Sequence, residues 1–253
     1  MPSDSVPDLD AQDAEWILGK LRPLLGSGEA VLVGGQALLA WASALAVPIG
    51  LETTIDIDLL GGRDVVLSAA TLLDGKARLA TIDDHTPHAG IVLFRDRRGH
   101  ERQLDVLHDL FGATASEVRA SAVTVGATLL LHPFTALKDK TAQLGTLRTD
   151  EHTIRQAKAA VALTRALAIV ALDRDEESHA VRRRQALRTN TAVYGLALTR
   201  PGIRAKCDYG VDVLAALVHD HPLLSARTRE IDIPRRRERV AANRLAYARR
   251  IPR

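Results

Sequence analysis

Thr53-Thr54-Ile55-Asp56-Ile57-Asp58-Leu59-Leu60 alternates polar with apolar residues and is rich in β-branched side chains, which predicts a half-buried strand. Side chains two apart on a strand share a face, so Asp56 and Asp58 stand about 6.5 Å apart on one side. Ile55, Ile57 and Leu59 point to the other side. Upstream, Ala30-Val31-Leu32-Val33 is a short apolar run ending at Gly34-Gly35, followed by an Ala- and Leu-rich stretch over 36–45. That order predicts a buried strand, a tight turn and a helix. Downstream, Ile91–Phe94 and Gln103–Leu107 predict a hairpin around Arg97-Arg98-Gly99-His100, which puts Asp105 on a strand as well.

Two carboxylates on one strand face, with a third on another strand, form a cage of hard oxygens. Such a cage suits Mg²⁺, which takes carboxylate and phosphate oxygens at about 2.0–2.1 Å. It can hold two ions roughly 3.5–4 Å apart, one on a triphosphate and one at an attacking hydroxyl. Asp105 then belongs with the second ion and receives the hydroxyl proton. Clustered carboxylates repel unless cations lie between them, so convergence of the three implies metal. Where Gly34 and Gly35 open the helix, free N–H groups can bind anionic oxygens, and glycine lets a phosphate approach the backbone. No Gly-Lys-Ser/Thr or Gly-x-Gly-x-x-Gly follows, which excludes a P-loop and a dinucleotide fold. These parts suit nucleotidyl transfer.

The rest of the chain divides near residue 130. The spacing predicts helices over 13–25 and 65–73 and short strands over 123–125 and 129–131. From Pro133 it predicts long helices over about 133–145, 151–172, 176–199, 209–219 and 235–250. The expected fold is α/β (α+β): a small mixed β-sheet core with flanking helices over 1–130, then a helical domain with a basic last helix over 131–253.

A chain of 253 residues with 46% hydrophobic and 26% charged content is ordinary for a globular protein. No apolar run approaches a membrane span, the first thirteen residues are acidic and polar, and Cys207 has no partner in the chain. The expectation is a cytoplasmic protein without disulfides. Net charge of +3 hides an asymmetry: residues 1–125 carry 10 Lys and Arg against 18 Asp and Glu, whereas residues 126–253 carry 24 against 13. An acidic half followed by a basic half implies a polyanionic partner or acceptor, or merely solvated arginine-rich helices.

Val33-Gly34-Gly35-Gln36-Ala37-Leu38, Thr54-Ile55-Asp56-Ile57-Asp58-Leu59 and Leu104-Asp105-Val106 together resemble the nucleotidyltransferase superfamily related to DNA polymerase β. Within it, the chain looks most like the AbiEii-type (MenT-like) toxins of bacterial type IV toxin–antitoxin systems. The resemblance covers roughly residues 30–155. It implies Mg²⁺, an NTP substrate, and Lys140 (or Lys138) and Arg148 on the triphosphate, with Asp150 as a further match. The basic half favours an RNA or tRNA end as acceptor, with a protein hydroxyl or a small antibiotic also open, and an antitoxin protein is an implied partner. The chain departs from the pattern at Gln36, where a small hydroxyl residue is usual, and over 148–155, which lacks a compact Arg-Asp-x-x-Asp run. A catalytically inactive nucleotide- or partner-binding protein of the same fold is the alternative.

Two lesser patterns remain. Arg174 and His179 have the Arg-x4-His spacing of HEPN-type RNases, which would place both near one helix turn, and His219-Asp220-His221 offers metal-ligating groups at a helix end. Neither Gly-x-Ser-x-Gly nor His-Glu-x-x-His occurs.

Overall fold

A computed structural model describes residues 9–51, 56–81, 87–144, 146, 151–174 and 176–249. Arg148 and Asp150, like Thr53 to Ile55 of the quoted strand, lie outside the described residues. The chain divides into two compact units, Met1–Ala44 with Gly50–Ala136, and Leu45–Ile49 with Leu137–Arg253.

The first unit contains α1 (Ala11–Ser27), β1 (Val31–Val33), α2 (Gly34–Leu45), β2 (Ile57–Leu60), α3 (Arg63–Leu72), β3 (Lys76–Leu79), β4 (His88–Arg95) and β5 (Glu101–Leu107). It closes with α4 (Ala115–Ser121), β6 (Val123–Val125) and β7 (Thr128–Leu130). The seven strands form one sheet in the order β3-β4-β5-β2-β1-β7-β6. β2 runs parallel to β5 and antiparallel to β1; β1 is parallel to β7, and the outer pairs are antiparallel hairpins. This is the mixed α/β core expected from the alternation pattern.

One sheet face is apolar because alternate residues supply it. Along β5, Arg102, Leu104 and Val106 are buried while Glu101 and Gln103 are exposed. α3 packs on β3 and β4, and α1 packs on α3 and β7. Ile17, Leu21, Val66, Leu59, Val92 and Leu104 are all essentially inaccessible. Truncating such a leucine to alanine costs about 2–5 kcal/mol.

The buried charge on this side is matched. Asp96, beneath the β4–β5 turn, accepts hydrogen bonds from the Arg98 and His100 amides (2.9 Å each) and from Arg102 Nε (2.9 Å). Burial pushes its carboxyl up, but the Arg102 hydrogen bond, the two amides and the Arg102 charge together hold it below the usual carboxylate range. The turn is also tied to the start of α1. Arg97 Nε donates to buried Asp13 (2.8 Å), and Arg98 pairs with Asp10, whose side chain caps α1 through the Asp13 amide.

Two elements of this unit lack a clear signal in the sequence. β3 is an edge strand whose first three residues are exposed, so no apolar alternation marks it. α4 is short and is set by a capping box between Thr114 and Glu117.

α5 (Pro133–Gln143) passes from the first unit into the second, which continues with α6 (Glu151–Asp173), α7 (His179–Leu198), α8 (Arg200–Tyr209) and α9 (Ile233–Ala248). Ala168, Leu172, Ala186, Val218 and Leu224 form a buried cluster in it. The helix expected over 209–219 is not formed: only a 3₁₀ turn at Val213–Ala216 appears. Gly210 takes a left-handed conformation that closes α8, and the Asn190 side chain captures both backbone groups of Val218 (2.7 and 3.0 Å). Those bonds replace the helical ladder there. Asp212 instead joins three elements, accepting from the Leu214 amide (3.1 Å) and Arg244 Nη2 (2.7 Å), with Lys206 Nζ at 3.7 Å. Arg174 and His179 do not share a helix turn, because α6 ends at Asp173 and α7 starts at His179. No described helix is long and apolar enough to cross a membrane.

Candidate functional site

The register of β2 on β5 makes the site. The two strands run parallel with Asp58 directly beside Asp105, and Ile57 beside Leu104. Ile57, Leu59, Leu104 and Val106 are buried on the core face, so the pleat turns both aspartates to the opposite, open face. Asp56, just before β2, shares that face. The three offer carboxylate oxygens lying within 4.8 Å of one another, and they form the one such acidic group among the described residues.

The glycine turn meets the same spot. β1 pairs with β2 so that Val33 lies opposite Asp58, and Gly34 follows immediately as the first residue of α2. Gly34 has φ +65°, a left-handed conformation that suits glycine, and a Cβ there would sit 2.9 Å from Asp58 Cγ. Only a residue without a side chain leaves the second aspartate in place. Gly35 is buried one residue further into the helix.

Two neighbours not singled out from sequence touch Asp105. Gln103 Nε2 donates to Asp105 Oδ1 at 2.8 Å, and His88 Nε2 lies 3.8 Å from the same oxygen. Gln103 was within reach of pattern reading, since it lies two residues back on the same strand face. His88 depends on how β4 registers on β5, where a bulge shifts the pairing between His88 and Gly90. The open face continues into a cleft of about 1020 Å³ whose lining includes Asp56, Asp105, Gln103, Leu93, Arg95 and Lys76.

Lys140 belongs to the second unit, where it is buried and its ammonium contacts Gln143 Oε1 (3.3 Å) and Asp139 Oδ2 (4.0 Å). Lys138, beside it on α5, is half-buried. The structure brings together Asp56, Asp58, Asp105 and Gly34. His219 and His221 make separate contacts, His221 Nε2 with Asp173 Oδ1 at 2.9 Å and His219 Nδ1 with the Leu217 carbonyl at 3.4 Å, and among the described residues they join no metal-ligating group.

The donor set is all carboxylate oxygen, with no sulfur or imidazole among the three, so it fits a hard divalent cation such as Mg²⁺. Bare, the cluster concentrates negative charge; a cation between the carboxylates would relieve it.

No protein-family model and no curated protein matches the sequence. Among solved structures, a candidate nucleotidyltransferase from H. pylori is similar, at 12% identity and a TM-score of 0.42 over 93% of each chain. JHP933 from Helicobacter pylori has the same identity and score, over 94% of this chain and 92% of that one. Likeness of this degree is too slight to carry chemistry across, and the residues themselves have to decide it.

Proposed function

We propose that the protein is a metal-dependent nucleotidyltransferase that moves a nucleoside monophosphate from an NTP to an acceptor hydroxyl. The observation that supports this reading is the meeting of Asp56, Asp58 and Asp105 on one open sheet face against the Gly34 turn. When bound, two Mg²⁺ ions would neutralise phosphate charge and lower the pKa of the attacking hydroxyl. Asp56 and Asp58 would hold them, with Asp105 completing the set. The acceptor oxygen bonds to the α-phosphorus, the bond from that phosphorus to the bridging oxygen breaks, and pyrophosphate leaves with the electron pair. The hydroxyl proton passes to Asp105. The Gln103 amide donates to its Oδ1 and so orients the carboxylate.

Gly34 and Gly35 open α2, whose first N–H groups have no intrahelical partner and can receive phosphate oxygens. Lys140, or Lys138, and Arg148 are assigned to the triphosphate in this reading. An RNA 3′ end, such as that of tRNA, is the favoured acceptor, and the biological setting proposed is a cytoplasmic toxin paired with an antitoxin. The test is incubation with Mg²⁺, each α-labelled NTP in turn, and total tRNA. Label should appear in RNA and vanish in Asp56→Ala. Calorimetric NTP binding that is indifferent to Mg²⁺, with no label transferred, would instead indicate a catalytically silent binding protein.

A further inference from the structure

The second unit carries an arginine face that no part of the mechanism uses. Ala180, Arg183, Arg184, Leu187, Arg188 and Thr191 line a groove of about 690 Å³ along α7. Their spacing is that of a single helix face, and Ala180 to Thr191 spans roughly 16 Å at the rise of an α-helix. Arg183, Arg184 and Arg188 are exposed, and none makes an ion pair among the described residues. Some arginines elsewhere in this unit do find acids: Arg165 reaches Asp220 (3.2 Å), Arg204 reaches Asp208 (3.5 Å) and Arg244 reaches Asp212 (2.7 Å).

A second helix extends the same surface. Arg236 of α9 lies over the Tyr194 ring, 5.2 Å from its centroid, and its Nη1 reaches Thr191 Oγ1 at 3.5 Å. Thr191 belongs to the groove, so Arg236 joins Arg188 and Arg184 on one face. A face on which Arg183, Arg184 and Arg188 are exposed, with Arg236 reaching its edge at Thr191, favours an external anion. Guanidinium offers a planar fork that matches phosphate bidentately, and all four cations are arginine rather than lysine.

We infer that this α7–α9 face binds the phosphate backbone of RNA, without reading its sequence. It deepens the function proposed above and rests on it for the choice of RNA as the polyanion. Base stacking plays a small part, because Tyr194 already lies under Arg236 and aromatic residues make up only 3% of the chain. The occupant follows the face as an extended strand, and its affinity falls as salt rises through counterion release.

The test measures binding of a fluorescein-labelled single-stranded RNA by anisotropy, with the full chain, no NTP, and NaCl varied from about 50 to 200 mM. The triple variant Arg183→Gln, Arg184→Gln, Arg188→Gln removes exposed side chains only, and circular dichroism checks that it folds. Three lost phosphate contacts should lower the slope of log affinity against log salt by about 2 and weaken binding at least tenfold at low salt. Asp56→Ala should bind the RNA like the wild type while transferring no label, so failure of the transfer reading and failure of this surface are told apart. Unchanged affinity and slope in the triple variant would overturn the inference. So would tighter binding of a polyglutamate peptide, or of phosphatidylserine vesicles, than of RNA at equal salt.

Discussion

Strand β5 carries two charge-bearing residue types, Arg102 and Asp105, three residues apart in opposite circumstances. Arg102 points into the core, where Asp96 meets it with a 2.9 Å hydrogen bond and two backbone amides complete the carboxylate's shell. Asp105 points to the open face, where it meets two further carboxylates. The first arrangement pairs a buried cation with a buried anion; the second gathers like charge on an open face. Both follow from the same pleat, and only the partner differs. A charge therefore tells more about function through what faces it than through its burial.

The largest effect should come from breaking the carboxylate cluster on the open face. Asp56→Ala should lower label transfer by about a thousandfold or more, equivalent to about 4 kcal/mol of transition-state stabilisation. The variant should still fold, which circular dichroism alongside the transfer assay checks. Arg102→Met should do the reverse. It leaves Asp96 buried without its cation, and stability should drop by about 3–5 kcal/mol in urea unfolding, with transfer per folded molecule retained.

Gly34→Ala joins the two sides, because it strains the turn and crowds Asp58 at once. A left-handed alanine costs about 1–2 kcal/mol, and turnover should fall at least tenfold even where the variant is fully folded. The smallest effect is a pH signature. Asp96 is held below the usual range in the folded chain, so its contribution is complete above its unfolded value of about 3.9. It disappears as pH falls through the lower folded value. The stability gap between wild type and Asp96→Asn should therefore be constant from about pH 5 upward and shrink on acidification, as chemical unfolding across pH will show.

Much of the open face was legible because its signals are local. Period-two alternation around Asp56 and Asp58, the apolar run before Gly34, and the hairpin turn before Asp105 each need only neighbours in sequence. What escaped depends on distant pairing. β3 has few apolar side chains to mark it, α8 begins after a Thr199 cap with Pro201 in its first turn, and the Asn190 bonds that prevent a helix at Val218 bridge 28 residues. The Asp96–Arg102 pair was hidden for the same reason, since nothing in Arg95 to Arg102 says which charges turn inward. His88 came beside Asp105 only through the shifted register of β4.

The most direct measurement is Mn²⁺ binding followed by electron paramagnetic resonance on the wild-type chain and on Asp58→Asn and Asp105→Asn. Saturable uptake of one or two ions per chain is expected, with loss or marked weakening in each variant. Equal uptake in all three proteins, or none in the wild type, would contradict a metal centre at these carboxylates.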